Sequence, residues 1–118
     1  MKRSSQPPFW LLFGAGGMLS ALVGAMLVFL TGIAGPLGIV LPADAMEYAN
    51  ASAFARNPLG KAFVFAVIAL FLWHAAHRIY HTQHDFGIRP GPAAWLSCYG
   101  VAAAGTLCAA LALLAIGW

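Results

Sequence analysis

Three long apolar stretches divide the chain, and short polar segments separate them. No Asp, Glu, Lys or Arg occurs between Arg3 and Asp44, between Lys61 and Arg78, or from Pro90 onward. Uncharged apolar runs of about 18 residues or more have the length a helix needs to cross a bilayer. The pattern predicts membrane spans at about 10–34, 60–84 and 93–116. Pro7-Pro8 suit the start of the first span, and Gly35-Pro36 should end or kink it. Asp44 followed by Glu47 resembles a capping box, which predicts a short interfacial helix over about 44–56. Asn57-Pro58 reads as the N-cap and first-turn proline of the second span, with Gly87 as its C-cap. Pro90 and Pro92 bracket the turn into the third span. The expected architecture is all-α: a single domain, 1–118, forming an integral membrane bundle of three transmembrane helices.

One polar stripe interrupts this apolar pattern. All four histidines fall in the stretch from Trp73 to Asp85. At about 100° per residue, His74, His77, Arg78, His81, His84 and Asp85 share an arc of about 120° on one helix face. A helix over 58–86 is about 43 Å long, more than the roughly 30 Å hydrocarbon core. With Lys61 at one boundary, His74 and His77 lie just inside the membrane. His81 and His84 lie at or beyond its edge.

Composition agrees with the spans. Of 118 residues, 62% are hydrophobic and 8% charged, where a soluble domain carries about 25% charged residues. The first run is too long for a signal peptide. The net charge of +3 reads as topology. Lys2, Arg3, Arg78 and Arg89 share one side, and Arg56 and Lys61 the other, which favours a cytoplasmic N-terminus and a periplasmic C-terminus. No basic run with interleaved aromatics supports nucleic-acid binding. Cys98 and Cys108 lie about 15 Å apart on one helix, too far for a disulfide, and read as packing residues. Gly16, Ser20 and Gly24 lie four apart on the first span, and Gly100, Ala104 and Cys108 repeat the spacing on the third. Such small-residue faces let membrane helices approach closely. Trp95, Tyr99 and Trp118 suit the interfacial belts.

Ionisable groups on a membrane helix face protein, water or a ligand. Three readings of the stripe compete. A quinone site needs donors at the carbonyls, a proton route and aromatic walls, and Trp10, Phe13, His77 and Arg78 offer these at similar depth. A b-type haem takes axial histidines, usually from different helices, so a partner chain would have to supply the second. The third reading is an interfacial cap against headgroups or another subunit, which suits His81 and His84. His77 and His81 have usable metal-ligand spacing but lack a third ligand, so no metal site is expected.

The stretches from Phe9-Trp10 through Phe13-Gly14-Ala15-Gly16-Gly17-Met18, Pro36-Leu37-Gly38 with Asp44-Ala45, and Trp73 through His77-Arg78, His81 and His84-Asp85 together resemble the D subunit of fumarate reductase, a hydrophobic membrane anchor. The resemblance covers nearly the whole chain. It implies a heterotetrameric quinol:fumarate reductase of the cell inner membrane, active in anaerobic fumarate respiration. In such a complex FAD and iron–sulfur clusters belong to the flavoprotein and iron–sulfur partner subunits. This chain and the C-anchor partner hold both to the membrane and share a menaquinol site on the cytoplasmic side. On that resemblance Trp10, Phe13, His77 and Arg78 carry the quinone-binding role. No catalytic residue, metal or haem is expected in this chain, which would be a non-catalytic subunit of the enzyme. His74 departs from the family motif. A haem b-binding anchor of succinate dehydrogenase type, and a purely structural anchor without quinone contact, remain the alternatives.

Overall fold

A computed structural model describes residues 6–118, including the side chain of Leu11 and those from Phe13 onward. All regular structure among the described residues is helical. The first helix, α1 (6–37), is α-helical at Gln6–Leu19 and widens into π turns at Ser20–Gly24 and Leu30–Ala34 before closing at Gly35–Leu37. A short helix α2 (Tyr48–Arg56), a long α3 (Pro58–Asp85) and α4 (Pro92–Ala115) follow. Three helical stretches, Phe13–Leu37, Pro58–Asp85 and Pro92–Ala115, are long and apolar enough to cross a membrane.

Two boundaries differ from expectation. Gly35-Pro36 does not end α1, which runs on to Leu37 and stops at Gly38, whose φ is 64°. Pro36 has no amide to offer the preceding turn, and its ring presses on the carbonyl four residues back. The π turn at Leu30–Ala34, directly upstream, takes up that misfit inside the helix. Asp44 is not an N-cap either. Its carbonyl accepts from the Glu47 amide at 2.9 Å and from Asn50 Nδ2 at 2.9 Å, closing a turn ahead of the helix. The helix therefore starts at Tyr48, with Glu47 in the cap position and no side-chain bond there.

The ends of α3 are as the sequence predicts. Asn57 Oδ1 accepts from the Leu59 and Gly60 amides at 2.9 and 3.4 Å, and Pro58 opens the helix. At the other end Gly87 has φ 74°. Its amide donates to His84 O at 2.9 Å, and the Ile88 amide donates to Gln83 O at 3.0 Å. This paired closure needs a left-handed residue, so glycine is placed where its missing Cβ matters.

Helix α3 is the centre of the molecule: its main interfaces are with α4 and with the Gln6–Leu19 part of α1. The few buried apolar side chains are mostly small, with Ala76 of α3 and Ala102 of α4 among them. Small residues at a helix crossing are how membrane helices approach closely without a water-driven core. Large apolar side chains such as Leu11, Met18, Leu22, Val101 and Leu107 stand exposed. Lipid or partner helices can cover this surface, since the backbone polar groups are already satisfied within helices. Lys61 is the exception among the described charges. It is buried, and its Nζ donates to the carbonyls of Leu113 and, at 3.0 Å, Gly117.

Candidate functional site

Because α3 is antiparallel to its neighbours, the start of α1, the histidine end of α3 and the start of α4 meet at one end of the bundle. Phe13 of α1 is the hub of the first contact. Its ring stacks on His74 at 4.7 Å and 14°, and lies 4.4 Å from the His77 ring. His74 Nδ1 stands 3.3 Å from the Phe13 carbonyl oxygen. The close fit depends on glycine. A Cβ on Gly16 would come within 2.8 Å of Leu70 O, and one on Gly17 within 3.0 Å of His74 Cε1. His74 therefore fills a slot between the Phe13 ring and the Gly16-Gly17 backbone. A ring packed in that way serves the α1–α3 contact.

His77 is held from the other side. Its Nδ1 pairs with the Tyr99 hydroxyl of α4 at 2.9 Å. Tyr99 is itself surrounded by rings: Trp95 at 5.3 Å, Tyr80 at 5.7 Å and Trp73 at 6.1 Å. A second α3–α4 bond, from Trp73 Nε1 to Thr106 Oγ1 at 3.1 Å, lies about two turns further along α4. Among the described residues no hydrogen bond engages His77 Nε2.

Of the residues assigned from sequence, Phe13 and His77 are brought together. Arg78 follows His77 on an exposed part of the helix. The side chain of Trp10 lies outside the described residues. His81, assigned to the interface, is exposed, yet its ring is 4.2 Å from His77. His84 is exposed beside Tyr80. Sequence reasoning missed Tyr99, which it placed in an interfacial belt. The signal was present: His77 and Tyr99 are each eleven residues from Ile88, at the middle of the α3–α4 turn. Antiparallel helices joined by a short turn bring such positions face to face.

A bundle of three apolar spans carrying one histidine- and tyrosine-lined end defines a membrane-embedded helical protein. The chain belongs to the family of fumarate reductase D subunits, membrane components of fumarate reductase, and the family model matches residues 1–114. It is 41% identical to the fumarate reductase D subunit of Vibrio cholerae serotype O1 (strain M66-2), over 98% of this chain and 85% of that protein. It is 42% identical to that of Mycobacterium bovis (strain BCG / Pasteur 1173P2), over 96% of this chain and 90% of that protein. The corresponding protein of Photobacterium profundum is 43% identical over 86% of this chain and 83% of its own length.

Proposed function

We propose that this chain, with a second anchor protein, attaches the flavoprotein and iron–sulfur subunits of fumarate reductase to the inner membrane. In this reading Trp10, Phe13, His77 and Arg78 form its share of a menaquinol site. The observation that carries the reading is the Phe13–His77 pair, a ring wall 4.4 Å from an imidazole where the apolar span gives way to charge. Oxidation of a quinol releases two electrons and two protons, and the electrons pass to the FAD and iron–sulfur groups of the partner subunits. This chain's residues bind and orient. Phe13 offers an aromatic face to the quinol ring. His77 presents Nε2 to a quinol oxygen, and imidazole titrates near neutral pH, which suits proton exchange. Arg78 supplies a fixed charge and several donors at the same depth. The excess of Lys and Arg at this end favours its placement in the cytoplasm, beside the soluble subunits.

The test is a pair of activities of the intact complex. His77→Ala is expected to lower quinol-linked fumarate reduction by about 10²-fold, the low end for a positioned acid–base group. Reduction of fumarate by an artificial dye, which bypasses the membrane, should be retained. Quinol turnover close to wild type in both His77→Ala and Phe13→Ala would sink the site.

A further inference from the structure

We propose that Tyr99 is a positioning residue for His77: its hydroxyl holds Nδ1 from α4 and leaves Nε2 as the nitrogen presented to the ligand. The proposal rests on the quinol reading of the site and deepens it. Among the described residues, His77 is the only histidine hydrogen-bonded to a side chain of another span; the hydrogen bond of His74 is to the backbone of α1. An imidazole on a helix can turn about its side-chain bonds. A bond to one nitrogen from a neighbouring helix fixes the ring plane and decides which nitrogen is left over. A hydroxyl suits this task because it both donates and accepts. It stays bonded to Nδ1 whether the ring is neutral or protonated, so the ring keeps its place through a proton exchange at Nε2.

The hydroxyl is itself well placed. Trp95, Tyr80 and Trp73 surround the Tyr99 ring at 5.3 to 6.1 Å. Phe13 lies against the His77 ring from α1. Three spans thus define one imidazole. Among the described residues, the titratable and charged groups facing His77 are His74, Arg78 and His81 of its own helix and Tyr99 of α4, while α1 presents Phe13. Among these described residues, Tyr99 alone makes a hydrogen bond to the ring.

Tyr99→Phe keeps the ring packing and removes only the hydroxyl. In the intact complex it is expected to lower quinol-linked turnover about five- to twentyfold, part of what a positioned acid–base group is worth. It should also move the midpoint of the pH–turnover curve by about half a unit or more, because the bond differs between the two protonation states of His77. Dye-linked fumarate reduction should not change. A normal Tyr99→Phe curve beside an impaired His77→Ala overturns this inference and leaves the quinol reading standing. Lower turnover with an unmoved pH midpoint indicates packing alone and overturns it as well. A normal His77→Ala overturns this inference, and a normal Phe13→Ala beside it removes the quinol reading as well. If Tyr99→Phe does not assemble, a fluorotyrosine at position 99 keeps the shape and makes the hydroxyl more acidic, and an unmoved midpoint there overturns the proposal.

Discussion

A buried lysine with no carboxylate partner is costly in most settings, because its charge leaves water without compensation. Lys61 escapes that cost by its position. It lies in the first turns of α3, beside the C-terminal end of α4, where the last carbonyls have no intrahelical donors. Its ammonium donates to Leu113 and Gly117 and sits 4.8 Å from the Trp118 ring centroid. The negative end of the helix dipole adds to these contacts. Lys61→Ala leaves those carbonyls unpartnered, at a cost of about 1–3 kcal/mol. A lower unfolding midpoint for the purified complex is expected, and an unchanged midpoint would count against this role. Charge spacing alone marked Lys61 only as a boundary residue. Its partners sit more than fifty positions away, and an apolar helix end gives no sequence sign of what caps it.

At the scale of elements, small residues decide where helices touch. Two positions of the expected face of α1 lie at the contact, since a Cβ on Gly16 would come within 3.0 Å of His74 Cβ and one on Gly24 would reach the Phe71 ring at 3.4 Å, and Gly17, outside that face, also accepts His74. On α4 the close approach falls elsewhere. A Cβ on Gly105 would come within 2.8 Å of Leu72 Cδ1, whereas one on Gly100 would meet nothing within 4 Å, and Cys108 is exposed. Gly17→Val therefore forces His74 off Phe13 and should destabilise the bundle by about 1–3 kcal/mol. Gly100→Ala should be neutral or stabilising by about 0.5–1 kcal/mol, since it adds helix propensity without a clash. Comparing the two unfolding midpoints checks both; equal effects would contradict the packing. The spans, the Asn57 cap and the Gly87 stop were legible because apolar length and capping chemistry are local. The rotation of α4 was not, because a helix apolar all round carries no pattern telling one face from another. Tyr99 was missed because its spacing from the turn gives its depth opposite His77 and not the direction its side chain faces. Asp44 misled because the same residue type serves turns as readily as caps.

At the scale of the molecule, antiparallel packing sorts the charges. Phe13 lies beside His74 and His77 at one end, and Lys61 lies beside Leu113 and Gly117 at the other. Arg78 and Arg89 thus belong to the Phe13 end of the bundle, and Arg56 and Lys61 to the opposite end. Lys2 and Arg3 precede α1 and add to the first group in sequence. Positive residues next to spans are retained in the cytoplasm, and Asp44 and Glu47 contribute little to that balance. The α3–α4 turn should therefore face the cytoplasm and the α1–α3 connection the periplasm. Both native cysteines are free, so the test begins from Cys98→Ala/Cys108→Ala. Single cysteines are then placed at Gly91 in the turn and at Tyr48 in the connection, both exposed. In intact cells, a maleimide that cannot cross the inner membrane is expected to label Tyr48→Cys and leave Gly91→Cys untouched until that membrane is opened. Labelling in the reverse order would invert the bundle. The Phe13–His77–Tyr99 cluster would then face the periplasm, away from the side on which the proposed function puts the iron–sulfur and flavoprotein subunits, so this experiment bears on the quinol reading as directly as any substitution within the site.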